Sequence, residues 1–184
     1  MEYVSGKTFR ELMADWRSFR EVSEYCYTMV EKAIRLFLSF YVSEGAAPGP
    51  YGGGIIRHPL FNDYKAPIQY DSVDMLEKHL NKVATIIRKA TPTVRLEPDL
   101  HFVFADLYEG NFMFTDAGDI YVIDFEQASF LPLCFMSYAL IQRHQVCGPL
   151  EERLNLPQNN IPTMRRICGM FVMSTSRLGK CLSA

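Results

Sequence analysis

Apolar side chains recur every three or four residues from Phe19 to Val42, at Val22, Cys26, Met29, Val30, Ala33, Ile34, Phe37, Leu38 and Tyr41. That spacing predicts one long amphipathic helix. A second helical stripe runs through Val73, Leu76, Leu80, Val83, Ala84 and Ile87, with Asp71 or Ser72 as its cap and Asp74 in its first turn. It should stop before Pro92. Between Leu100 and Phe125 the period shortens to that of strands: "LHFVF", "NFMFT", the turn "DAGD" and "IYVIDF". The two strands joined across Asp116 to Asp119 predict a hairpin, with Gly118 supplying positive φ. Pro132 is placed to open a helix with Phe135, Met136, Ala139 and Leu140 on its apolar face, and Pro149 and Pro162 open two more, the last reaching about Ser176. Trp16, beside Arg17 and Phe19, is expected to pack the N-terminal segment on the long helix.

Two stretches interrupt this regularity. Residues 45–67, "GAAPGPYGGGIIRHPLFNDYKAP", are dense in Gly and Pro and predict a long irregular connection, read as a flap over a cleft or a surface linker. Its "GPYGGG" neither follows a strand nor leads into a lysine and a helix, so it is not expected to cradle phosphate. The other is "FADLYEGNFMF", Phe104 to Phe114, where acids and an amide sit in an otherwise apolar run.

Composition narrows the class. The 184 residues are 48% hydrophobic and 22% charged, which suits one globular domain over 1–184 of mainly α type with a small β hairpin (α+β). Nineteen basic and 21 acidic residues are interspersed to a net charge of −2, so neither nucleic acid nor a membrane surface is expected as partner. The five cysteines lack any C-x-x-C pair and read as reduced, mostly buried thiols, and the four histidines have no ligand spacing and read as surface or capped residues. With no signal peptide and no apolar run near the ~20 residues of a membrane helix, a cytoplasmic protein is expected.

Asp106, Asn111 and Asp124 are the polar residues most out of keeping with their neighbours. An ionised carboxylate in an apolar setting is costly unless it is paired, hydrogen-bonded or bound to a cation. Two carboxylates and an amide oxygen at strand ends form a hard-oxygen set suited to Mg²⁺. D-x-x-x-x-N followed by D-F is also the spacing of a kinase catalytic loop, in which the first Asp takes a hydroxyl proton and the Asn and second Asp hold metal. The plainer alternative is that Asp106 caps a turn, Asn111 makes an Asx turn and Asp124 caps the Gln127 region.

The run "FADLYEGNFMFTDAGDIYVIDFEQASFLP" resembles the catalytic segment of the aminoglycoside phosphotransferase and choline kinase-like family, H-G-D-L-x-x-x-N, a hairpin, then I-D-F/W-E. "MEYVSGKTF" is similar to that family's hinge, with Met1, Glu2 and Tyr3 in it and residues 1–18 hinge-like. "PGPYGGG", "PLFNDY" and "SVDMLEKHLN" resemble its fungal members. The resemblance implies a protein-kinase-like C-terminal lobe lacking the nucleotide-binding N-terminal lobe, with catalytic and metal loops in residues 100–130. It places Asp106 at the base position, Asn111 and Asp124 as metal ligands, and Glu126 as the acid that follows. Two positions depart from it: Phe104 stands where the family has His, and Ala105 where it has Gly.

Three functions follow as expectations. The first, in a fungal natural-product setting, is a degenerate phosphotransferase-fold protein that needs no ATP or other cofactor and isomerises or cyclises a largely apolar small metabolite. Asp106, Tyr108 and Glu109 would be its catalytic groups, and Phe104, Asn111, Met113, Glu126 and Phe130 would line its pocket. The second is a Mg-ATP-dependent small-molecule phosphotransferase, completed by a partner lobe or a longer chain, with Asn111 and Asp124 on the metal. The third is a pseudokinase-like interaction module that exposes an apolar face and forms a homodimer through it.

Overall fold

The long helix predicted from residue 19 is α2, Trp16–Leu38, in the computed structural model, which describes residues 4–86, 92–142 and 144–173. Phe19, Cys26, Val30, Ile34 and Phe37 form its buried stripe. Val22 is 38% exposed and Tyr41, beyond the helix end, 86% exposed, so neither belongs to the core that the periodicity assigned them. The side chain of Trp16, the hinge residues Met1 to Tyr3, Ile87 and the segment to Ser176 lie outside what is described.

Ahead of α2 the chain forms β1 (Lys7–Thr8) and α1 (Phe9–Ala14), which the hinge-like assignment did not anticipate. A capping box starts α1: Thr8 Oγ1 accepts from Glu11 N at 3.2 Å, and Glu11 Oε2 accepts from Thr8 N at 2.7 Å. β1 pairs antiparallel with β3 (Phe112–Phe114), and β3 pairs with β4 (Ile120–Val122) across the predicted turn, where Gly118 has φ 88°. A Cβ on Gly6 would lie 2.4 Å from the Phe114 carbonyl oxygen, so only glycine lets β1 approach. Gly6→Ala should therefore cost about 1–3 kcal/mol, as overpacking does. An unchanged urea midpoint would show that β1 is not held against β3.

A second sheet pairs β2 (His101–Phe104) antiparallel with β5 (Ala128–Leu131), from His101↔Leu131 to Phe104↔Ala128. Pro132 is the N-cap of α4 (Leu133–Leu140) and not its first residue, and α4 is buried on every side from Cys134 to Leu140. α3 (Val73–Thr85) matches its predicted stripe, and Ser72 caps it by accepting from Met75 N at 3.1 Å. α5 (Cys147–Leu154) and α6 (Ile161–Met173) complete a mixed α+β architecture of helices and two small antiparallel sheets. No helix among the described residues is long and apolar enough to cross a membrane. Cys26, Cys134 and Cys147 are free and buried, and burial raises their thiols to about 11, 12 and 12.

The Gly/Pro-rich 45–67 segment is joined to β5 near its start and packs into the core through its second half. Gly49 exchanges backbone bonds with Phe130 at 3.1 and 2.7 Å, and Ile56, His58, Leu60 and Phe61 are buried. Of the surface or capped placement expected of histidines, His58 and His79 do not take the surface one: both are wholly enclosed and hydrogen-bonded. His58 Nδ1 accepts from Leu60 N at 3.1 Å while its Nε2 meets the Phe135 carbonyl oxygen at 3.0 Å, an arrangement that suits the neutral ring protonated on Nε2.

Candidate functional site

Asp106 leaves the sheet one residue after Ala105, whose N–H is tied to the Gln127 carbonyl at 3.1 Å. From there the chain turns through a short 3₁₀ segment, Glu109–Asn111, closed by Asn111 N donating to Tyr108 O at 2.9 Å. The Asn111 side chain is buried, and its Nδ2 donates back to the Asp106 carbonyl at 3.1 Å. This commits the amide's donor side to the loop and leaves Oδ1 as a free acceptor. Asn111 O in turn accepts from Ile123 N at 3.0 Å, so the loop that carries Asp106 and the loop that carries Asp124 share one backbone hinge point.

Asp124 is in the left-handed region, φ 60° and ψ 69°, a conformation that a non-glycine residue adopts at a cost and that recurs at functional sites. Its carboxylate is exposed and makes no cap to the following Phe125–Gln127 turn, unlike the plainer alternative. Asp106 does accept from Tyr108 N, at a long 3.4 Å, so that part of the alternative describes one of its oxygens. Among the described residues no three His, Cys, Asp or Glu side chains gather as a metal cluster. Asp106, Asn111 and Asp124 supply two carboxylates and an amide oxygen, the donor chemistry that Mg²⁺ takes together with water and phosphate oxygens.

The other predicted residues are dispersed. Phe104, at 0% exposure, is ringed by Phe37, Phe112 and Phe125 at centroid distances of 5.9, 6.0 and 5.2 Å. It is core, not pocket wall. Met113 alternates with the buried Phe112 and Phe114 on β3 and is half-buried, opposite Tyr121. Glu126 is exposed and pairs with Arg57 of the 45–67 segment. Phe130 lines a hollow of about 400 Å³ with Tyr41, Pro48, Pro50 and Tyr51, away from the acids.

Tyr108 and Glu109 line a different cleft, of about 460 Å³, with Arg10, Met13, Ala14 and Gln145. Sequence reasoning did not assign the last four to any site. Arg10 donates to the Tyr108 hydroxyl and its guanidinium lies 5.6 Å from the ring centroid. Glu109 is 9% exposed, with Oε1 accepting from Gln145 N and Oε2 at 4.0 Å from His144 Nδ1. The T-x-x-E signature at Thr8 to Glu11 was the available signal for α1, but only tertiary packing sets α1 against the 108–109 turn.

The chain matches no family model, no curated protein and no solved structure.

Proposed function

We propose that the chain is the catalytic-loop lobe of a kinase-like fold and, completed by a partner lobe or a longer chain, transfers a phosphoryl group to the hydroxyl of a small molecule. The observation that carries this reading is the bracing of Asp106, Asn111 and Asp124 in one unit: the Asn111 amide bonded to Asp106 O, Asn111 O bonded to Ile123 N, and Asp124 next in line with its carboxylate free. In this reading Asp106 orients the substrate hydroxyl and takes its proton through the carboxylate oxygen that Tyr108 N leaves unbonded. Asn111 Oδ1 and an Asp124 oxygen would hold Mg²⁺, which supplies charge neutralisation at a transferring phosphoryl group. Glu126, paired with Arg57, fixes the segment after Asp124 to the 45–67 strap.

Cofactor-free isomerisation of an apolar metabolite ranks second. It draws on the hollow around Phe130, whose lining is largely apolar, yet Asp106, Tyr108 and Glu109 do not reach that hollow and Phe104 is sealed in the core. The cleft that does hold Tyr108 and Glu109 sets polar and apolar side chains side by side, with Arg10 in its wall, and Asp106 does not line it. The acids and aromatic residues named for that chemistry are thus not gathered in one pocket.

Thermal unfolding with ATP and Mg²⁺ tests the first reading. At a nucleotide concentration ten times Kd, linkage stabilises the fold by about 1.4 kcal/mol, or roughly 3–6 °C for a chain of this size. The rise should require Mg²⁺ and largely vanish in Asp124→Asn. No rise in the parent protein, or an equal rise in the variant, would overturn it.

A further inference from the structure

The cleft beside Tyr108 carries both signs of charge without pairing them. Arg10 spends one N–H on the Tyr108 hydroxyl and is held over that ring, which leaves its other donors without a hydrogen bond to the described residues. Glu109, nine-tenths buried in the same cleft, has one oxygen satisfied by Gln145 N. The other oxygen faces His144 Nδ1 at 4.0 Å, beyond hydrogen-bond reach, and receives no hydrogen bond from the described residues. That oxygen keeps contact with the open cleft, so a donor carried by a ligand can reach it.

We propose that this cleft binds a zwitterionic small molecule, its carboxylate on Arg10 and the Tyr108 hydroxyl and its ammonium on Glu109. A purely anionic ligand would meet the Glu109 charge, and a purely cationic one would meet Arg10. A molecule with both groups satisfies each wall, and Met13 and Ala14 give its carbon frame an apolar surface. The volume of about 460 Å³ lies within the range of small-ligand sites. Asp106 sits two residues before Tyr108 and accepts its N–H, which ties the turn that walls this cleft to the proposed base. Binding stands apart from phosphoryl transfer, whereas naming the molecule as the acceptor rests on the function proposed above.

Titration calorimetry with four probes decides it: L-serine and 4-amino-3-hydroxybutyrate as zwitterions of different span, ethanolamine as the cation alone and glycolate as the anion alone. At least one zwitterion should bind ten-fold or more tighter than either singly charged probe. Arg10→Gln should reduce that zwitterion to the affinity of ethanolamine, and Glu109→Gln, which keeps an oxygen for Gln145 N, should reduce it to that of glycolate. Failure of both zwitterions to bind, equal affinity for all four probes, or indifference to both substitutions in variants that still unfold cooperatively would overturn the proposal. Adding Mg-ATP separates the two ideas. Zwitterion binding without ADP release sinks phosphotransfer and leaves the site, while ADP release as fast with ethanolamine as with the zwitterions sinks the site and leaves phosphotransfer.

Discussion

Replacing Phe104 with alanine should lower the stability by about 3–5 kcal/mol, the usual loss for truncating a buried Phe. The thermal midpoint should then fall by roughly 6–20 °C. Phe104 has no exposed surface and stands at the meeting point of three other rings, Phe37 from α2, Phe112 from β3 and Phe125 from the turn after Asp124. Truncation leaves a cavity that three separate elements would have to collapse to fill. Because Phe125 follows Asp124 directly, the same change should loosen the loop that carries Asp124, so any nucleotide-dependent stabilisation should shrink with it. Phe130→Ala is the control, since Phe130 is half-buried and shares its hollow with the exposed Tyr51. It should cost about 1 kcal/mol, roughly the middle of ordinary point-mutant effects. A Phe104→Ala protein that denatures at the parent's urea concentration would mean that the ring lines an open pocket, as its sequence position first suggested.

The same residue illustrates what the chain order conveys. The buried stripes of α2 and α3 and the hairpin at Gly118 follow local periods, and local periods are written in sequence. Asp106, Asn111 and Asp124 were equally visible, because three polar residues at catalytic-loop spacing stand out in an apolar run. β5 was not, since its partner β2 lies 24 or more residues earlier and cross-strand pairing leaves no local mark. α4 has no polar face at all, so its expected amphipathic stripe was an underestimate of its burial. A hinge-like reading of residues 1–18 leaves no helix there, whereas the capping box of Thr8 and Glu11 places Arg10 and Met13 on a helix that reaches the cleft. His58 is the plainest loss: one of its hydrogen-bond partners, the Phe135 carbonyl, lies 77 residues away, and nothing in a Gly/Pro-rich stretch signals a buried ring.

That buried ring should make the protein sensitive to mild acid. Enclosure pushes the His58 imidazole down from its ordinary 6.5 to about 3, with the Phe135 carbonyl offsetting only part of the effect. The folded pKa is therefore below the unfolded one. Above pH 6.5 both states hold a neutral ring and the full stability is present. As pH falls from 6.5 toward 3 the unfolded chain takes up a proton that the folded chain refuses, and stability declines by at most about 1.4 kcal/mol per pH unit. Between pH 7 and pH 5 the loss from this one ring is about 2 kcal/mol, and it reaches the order of 4 kcal/mol by the lower end of the window. Glu11 and Glu31, whose carboxyls are lowered by hydrogen bonds from Thr8 and Arg35, act in the same direction but on the exposed surface and below their ordinary 4.5. The interval from pH 6.5 to 5 lies above their range, so they do not obscure the histidine there. His58→Gln keeps a donor for the Phe135 carbonyl and removes the titration. It should be less stable than the parent at pH 7, by about 1–3 kcal/mol for the acceptor lost to Leu60 N, yet lose about 2 kcal/mol less between pH 7 and pH 5. Urea denaturation of both proteins at those two pH values reads the difference directly, and parallel slopes would mean that His58 gains its proton without leaving the fold.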